Sequence, residues 1–366
     1  MRTTEAVDEA RRFMEICNAC RYCEGFCAVF PAMELRRDFA NGDLSYLANL
    51  CHNCQGCYHA CQYAPPHEFG INLPKTFAEL RVETYEEYAW PQPMAGLFHR
   101  NGTIVSLVCA AAIALVLLLT AALRAPAILS QAQSGPGAFY AVIPWGVMTV
   151  VAGITFLFSL LALGMGCAKF WRDTGGGRVS ANRSALQAIH DILMLRNLGG
   201  GGDGCNDQDE SFSHTRRRFH HAMFYGFVLC FASTTVATFY DHFLGLVAPY
   251  PFFSLPVLLG TVGGLGMVAG AGGLLWLKVV SDPAPMARKV LGADYALLAL
   301  MLLAAATGLL LLTLRGTSAM GALLAVHLGV ILSLFLMLPY SKMVHGLYRS
   351  AALLRSSIER QAHEAG

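Results

Sequence analysis

Charge is scarce in this 366-residue chain: Asp, Glu, Lys and Arg make up 14% of it, while 55% is hydrophobic. That balance lies outside the range of ordinary soluble domains and puts much of the chain in lipid. Other signatures are missing as well. No glycine-rich fingerprint follows a strand, so no dinucleotide site of the chain's own is expected. No basic stripe interleaved with aromatics occurs, which argues against nucleic-acid binding. No export signal is apparent, because Arg11 and Arg12 are followed by an acidic, cysteine-rich stretch where an apolar region should stand. A disulfide framework is therefore not expected. Zinc sites usually use paired C-x2-C knuckles separated by a dozen or more residues, and a tetrahedral ion has no use for four thiols packed into eleven positions, so zinc is not expected.

What is present is a pair of cysteine runs. Cys17, Cys20, Cys23 and Cys27 read C-x2-C-x2-C-x3-C, and Cys51, Cys54, Cys57 and Cys61 repeat that spacing. Such runs are what two four-iron clusters require. Three closely spaced thiols curl around one cubane, and the fourth is free to reach across to the other. By the crossed ligation of two-cluster ferredoxins, Cys17, Cys20, Cys23 and Cys61 are expected on one [4Fe-4S] cluster, and Cys51, Cys54, Cys57 and Cys27 on the other. Between the runs, Met33, Leu35, Phe39, Leu44 and Leu47 recur near helical spacing with no alternating β-branched run, which predicts helix. Pro74 is expected to precede a helix over Thr76 to Tyr88. His52, His59 and His67, in or beside the runs, read as hydrogen-bond donors to cluster sulfurs or as surface residues.

The first 100 residues hold 9 Lys/Arg against 13 Asp/Glu, and the rest hold 17 against 11. An acidic head thus precedes a membrane body. Six apolar stretches, at 103–123, 143–166, 220–240, 256–278, 294–314 and 321–341, each approach the ~20 residues that cross a bilayer. Lys and Arg concentrate between the second and third stretches, between the fourth and fifth, and in the tail. The other connections carry only Arg124 and Arg315. The positive-inside rule then puts the head, the loop 168–219 and both termini in the cytoplasm, in a multi-pass protein of a bacterial inner membrane. The expected fold is all-α: an α-helical two-cluster ferredoxin head over residues 1–95 and a six-helix transmembrane bundle over 96–366. The G-x-G-x-x-x-G string from Gly264 to Gly270 lies inside an apolar stretch and reads as helix packing. In the loop, an amphipathic helix is expected from Ser180 to Leu198, followed by a glycine-rich turn. There Cys205 with His214, Asp207 or His190 offers a small metal site, set against a plain docking surface.

Histidines in or beside apolar spans are functional candidates. His220 and His221 open the third span, His242 follows it, His327 lies in the sixth and His345 after it. An eighteen-residue interval is five helical turns, so His327 and His345 are expected on one face about 27 Å apart. Topology pairs His221 (or His220) with His345 at the inner edge as axial ligands of a b-type haem, and His242 with His327 at the outer edge as a second pair. The alternative is histidines bonded to carbonyls or headgroups, and His99 reads as interfacial. Lys342 and Arg216–Arg218 are candidates for positioning a quinone headgroup or, alternatively, positive-inside anchors.

The head, together with the strings LGGGGDGCNDQDE, RRRFHHAMFYGF and HLGVILSLFLMLPYSKMVH, resembles the tricarballylate/citrate-utilisation protein B family, also found as the C-terminal part of the cobalamin-synthesis protein CobZ. The final span is also similar to the cytochrome b subunit of respiratory nitrate reductase, a resemblance that implies His327 and His345 as haem ligands. It departs from that pattern at Cys230 and Phe231, near where a second mid-span histidine would stand. The resemblance implies a membrane electron-transfer protein that reoxidises a partner FAD-dependent tricarballylate dehydrogenase and passes electrons through two [4Fe-4S] clusters and b-type haem to quinone. A redox accessory of a flavoprotein oxygenase in cobalamin synthesis and a membrane-bound redox sensor are the alternatives.

Overall fold

A computed structural model describes residues 3–176, 183–200 and 202–365, and it is all-α. The head opens with α1 (Glu5–Cys20). Thr4 caps it, its hydroxyl accepting from the Val7 N–H at 3.3 Å, and Glu5 and Asp8 put negative charge where the helix dipole favours it. Val7, Ala10, Phe13 and Met14 recur at helical spacing and are buried. The stretch between the cysteine runs forms two helices, α2 (Val29–Glu34) and α3 (Asn41–Leu50). Met33, Phe39, Leu44 and Leu47 enter the core, whereas Leu35, at the corner between the helices, is exposed. A single turn, α4 (Gly56–His59), lies within the second cysteine run. Next comes α5 (Leu73–Tyr88), capped by Asn72 and with Pro74 in its first turn, where a missing N–H costs no intrahelical bond.

The membrane part runs through α6 (Asn101–Leu123), the short α7 (Ala138–Val142) and α8 (Trp145–Asp173). It continues with α9 (Arg183–Leu193), α10 (Thr215–Leu244), α11 (Leu255–Val280), α12 (Leu291–Leu314), α13 (Met320–Met337) and a tail helix α14 (His345–Ala365). Six helices are long and apolar enough to cross a membrane, and each coincides with one of the six stretches read from hydropathy. The second and third extend beyond those bounds because Lys169, Arg172 and Arg216–Arg218 are charged yet still helical. Leu118, Ile154, Leu157 and Val262 point outward, an apolar surface that suits lipid and not water. The expected helix from Ser180 begins outside the described residues; within them α9 is followed by a tight turn at Arg196–Gly199.

Glycine sets the closest helix contact. A Cβ on Gly226 of α10 would lie 2.6 Å from Met267 N, and one on Gly270 of α11 would lie 2.3 Å from Met223 N. The two backbones touch along this line, which is the packing role read for the glycine string.

The sixth span departs from expectation. Its helix ends at Met337, and two tight turns, Leu338–Tyr340 and Lys342–Val344, separated by an extended Ser341, intervene before α14. The five-turn register between His327 and His345 therefore does not hold. Pro339 lacks an N–H to continue the helix, and Ser341 instead caps a new start by accepting from Met343 N.

The head, the 168–219 segment and the tail meet on one side of the bundle. Lys169 Nζ donates to Glu87 O at 3.1 Å, Asn206 N to Cys54 O at 2.9 Å, and Asn72 Nδ2 to Ala284 O at 2.9 Å. The tail helix is tied to the head by four charges: Arg36 pairs with Asp43 (2.8 Å) and Glu359 (2.5 Å), and Arg355 with the same two carboxylates (3.2 and 2.9 Å).

Candidate cofactor sites at the head–membrane junction

Two thiol cages lie side by side in the head. Cys17 and Cys20 end α1, Cys23 follows in the next turn, and Cys61 comes back beyond α4 to line the same cavity. Ile16, Phe30, Ile71 and Leu73 complete its walls. The second cavity is lined by Cys27, Cys51, Cys54 and Cys57, and Cys57 borders both. Burial, and then the neighbouring thiols with Cys61 first, push the Cys17 and Cys23 thiols up to about 12. Cys27 and Cys57 are driven well above the usual thiol range, again chiefly by burial. Thiols this crowded give up their protons only to a cation that binds the resulting thiolates, which is what cluster iron does.

The loop of the second cage carries a further sign of fit. Asn53 (φ 57°) and Gln55 (φ 67°) are both left-handed, a conformation that turns successive N–H groups inward, and Asn53 N approaches Cys51 Sγ at 3.4 Å. Such backbone nests suit anions and iron–sulfur sites. Among the described residues no three Cys, His, Asp or Glu side chains converge on a single-ion point. A cubane makes no such demand, because each of its thiolates binds a different iron.

Behind the second cage, between head and bundle, is a cavity of about 160 Å³. His220 of α10 and His345 at the start of α14 face each other across it, with ring centroids 6.3 Å apart and planes at 85°. Two imidazoles on one metal, each with a metal–nitrogen bond of about 2.0–2.1 Å, bring their centroids to about this separation. Nδ1 of His345 contacts Lys342 O at 2.5 Å, which fixes the ring through its far nitrogen, and Nδ1 of His220 is buried without a partner. Burial, then Arg349, holds His345 well below the ordinary histidine range, so its ring is neutral and free to ligate. His52 lines this cavity and the second cage alike, its Nδ1 2.8 Å from Leu50 O.

The rest of the wall is mostly apolar, and its charged side chains are mainly cations. Arg81, Arg216, Lys278, Lys342 and Arg349 face the cavity with the single carboxylate Asp294, which pairs with Lys278 at 2.5 Å and with Lys342. A histidine pair inside a ring of excess positive charge suits a metal-bearing, carboxylate-bearing group such as haem.

Comparison with known proteins agrees with this division. The family model for citrate utilization protein B matches residues 97–366, and that for the Fer4-like domain of citrate utilization protein B matches residues 10–87. The citrate utilization protein B of Escherichia coli is 48% identical over 367 residues, covering 99% of this chain and 95% of the relative. The chain belongs to the citrate utilization protein B family. No solved structure matches it. The Fer4-like match gives this family member iron–sulfur character and, with its six spans, a role in electron transfer at a membrane.

The remaining candidate residues of this family member are dispersed. His221 turns away from His345: its Nε2 meets Met194 O at 3.1 Å and its ring packs on Tyr225. His327 sits deeper in the bundle, Nδ1 2.9 Å from Thr307 Oγ1. His242 packs on Trp145, with Nδ1 3.0 Å from Thr238 O. His327 and His242 share no contact partner among the described residues. Cys205 is buried and donates to Leu198 O at 3.0 Å, Asp207 pairs with Arg216, and His190 lies beside Asp191 at 3.6 Å. Of the side chains considered for quinone, Lys342 is engaged by Asp294 and Arg217 donates to Met194 O at 2.8 Å. Sequence reasoning passed over Arg81, Asp294 and the cavity face of His52. The charge of Asp294 at the head of an apolar span was the one available signal.

Proposed function

We propose that this chain is the membrane electron-transfer partner of a cytoplasmic FAD-containing dehydrogenase of the tricarballylate type, whose reduced flavin it reoxidises at the expense of membrane quinone. In this reading residues 1–95 form the electron-accepting head and 96–366 the membrane domain, with head, long loop and tail in the cytoplasm of a bacterial inner membrane. Cys17, Cys20, Cys23 and Cys61 hold one [4Fe-4S] cluster, and Cys51, Cys54, Cys57 and Cys27 the other. His220 and His345 hold one b-type haem, with His220 in the place that hydropathy alone shared with His221. These groups supply one-electron chemistry, which divides the two-electron oxidation of a flavin into single steps. The chain's residues keep the thiols dry and crowded, fix the imidazoles in their neutral form and set cations around them.

The observation that carries this reading is the stacking order. The exposed cage lies against the buried cage, and the loop 52–55 of the buried cage is also a wall of the cavity in which His220 faces His345. The test is a joint optical and EPR study of the purified protein with Cys54→Ala membranes alongside. Two [4Fe-4S] signals and a b-type α band are expected, and Cys54→Ala abolishes flavin reoxidation by membranes while the partner's reaction with an artificial acceptor persists. Quinone reduction that survives loss of a cluster would sink the serial order, and absence of the α band would remove the haem.

A further inference from the structure

The two cages share one spacing but not one charge environment. Around the second, three guanidiniums reach the carbonyls of the cysteine loop from distant parts of the chain. Arg349 of α14 donates through Nη2 to Cys51 O at 2.8 Å and approaches Asn49 O through Nε at 3.4 Å. Arg81 of α5 donates through Nη1 to Cys51 O at 3.1 Å and to Ala48 O at 3.0 Å. Arg216 of α10 donates through Nη1 to Asn53 O at 2.5 Å. Arg216 is balanced by Asp207, but among the described residues neither Arg81 nor Arg349 pairs with a carboxylate. Among the described residues the wall of the first cage carries one charged side chain, Arg21, exposed and bonded to Asn18 O, and the wall of the second carries none, its arginines standing one layer out on the loop carbonyls.

A buried guanidinium (Arg81) and a half-buried one (Arg349), neither paired with a carboxylate among the described residues, are costly unless an anion shares their surroundings. Carbonyl oxygens satisfy their N–H groups but leave their net charge. A four-iron cluster on four thiolates is a net anion, and reduction adds one further negative charge to it. Fixed cations in a dry site stabilise that extra charge far more than exposed ones do.

We infer that Arg81 and Arg349 are positioning residues that raise the reduction potential of the second centre above that of the first, so that an electron entering at the exposed cage settles at the buried one beside the histidine cavity. This rests on the cluster assignment proposed above. In the step itself one electron leaves the first centre, which is oxidised, and enters the second, which is reduced, with no proton or bond change.

The test is a potentiometric titration of the full-length protein in detergent, followed by EPR, with iron and acid-labile sulfide measured on each sample. In the unsubstituted protein, the centre whose signal Cys54→Ser perturbs is expected at the higher potential. Arg349→Leu and Arg81→Leu each lower that centre by at least a tenfold change in its one-electron equilibrium, about 59 mV, and leave the other centre in place. Arg349→Lys restores most of the shift, which a purely structural clamp with a planar fork would not permit. Equal shifts at both centres, no shift, or a shift confined to the haem band would overturn the inference. So would a lower potential for the Cys54-dependent centre in the unsubstituted protein, a result that stands even if the leucine variants fail to fold. Fewer than two clusters in the unsubstituted protein would instead overturn the cluster assignment on which the inference rests.

Discussion

The two cysteine runs are the same motif written twice, yet the cages they form are built by different means. The first is closed by its own segment plus Cys61, opens toward solvent beside Tyr22, and is walled mainly by side chains of the head. The second is buried, bent by two left-handed residues, and gripped by arginines from α5, α10 and α14. Spacing specifies what a run can bind; the surroundings, drawn from 30 to 298 residues away, specify what the bound group does. In the function proposed above, an outer cage that meets a partner has to be accessible, whereas an inner cage that hands on to a membrane site has to be dry and electrically set.

The largest effect should come from the thiol the cages share. Cys57 borders both cavities, whereas Cys20 lies at the outer edge of the first. Cys57→Ala is expected to remove the second centre and to broaden or shift the first. Cys20→Ala is expected to remove the first and leave the second. Iron content and low-temperature EPR separate these outcomes, and identical losses from both variants would mean that the cages are not distinct sites.

The next effect lies in the bundle. Gly270 abuts the α10 backbone at Met223 N and Phe219 O, one residue before His220. Gly270→Val has no room and is expected to force α10 and α11 apart at a cost of roughly 1–3 kcal/mol or more. That moves His220 away from His345 while the head, with its own core around Phe13, Leu47 and Phe77, stays folded. The expected result is loss of the b-type band with both cluster signals retained. Joint loss of all three would show that the head depends on the bundle for its fold.

Much of this arrangement was legible because it is local. The cysteine spacing, the six apolar runs and the helix that follows Pro74 are each written within a short window. What was not legible depends on packing between distant segments. Adjacent residues on a helix point about 100° apart, and hydropathy, which put His221 first and His220 as its alternative, does not say how α10 is rotated; as α10 packs on α11, it is the His220 ring that meets His345. Counting positive charge put Arg216, Lys342 and Arg349 on the same side as the head, where the structure has them, and read Arg216 and Lys342 as quinone-positioning groups or anchors, because nothing in a charge count shows that Arg349 folds back onto Cys51. The broken helix at Pro339 was written in the sequence and outweighed by the attraction of an eighteen-residue interval. That break matters to the site: it is what allows α14 to leave the membrane direction and lie against α3.

The smallest expected effect tests that choice between neighbours. His221 bonds the carbonyl of Met194 at 3.1 Å, a contact that ties α10 to the turn after α9, and its ring packs on Tyr225 one turn along α10. Its loss in His221→Ala should cost about 1 kcal/mol or less, the net worth of one partly exposed hydrogen bond, and should leave the optical spectrum unchanged. His220→Ala should cost little more in stability, because the ring it removes is unbonded at Nδ1, yet it should abolish the b-type band. Two substitutions one residue apart, nearly equal in folding cost and opposite in spectrum, separate a ligand from a structural contact more sharply than either does alone. If His221→Ala lost the band and His220→Ala kept it, the facing of the two rings across the junction cavity would be the wrong basis for the assignment.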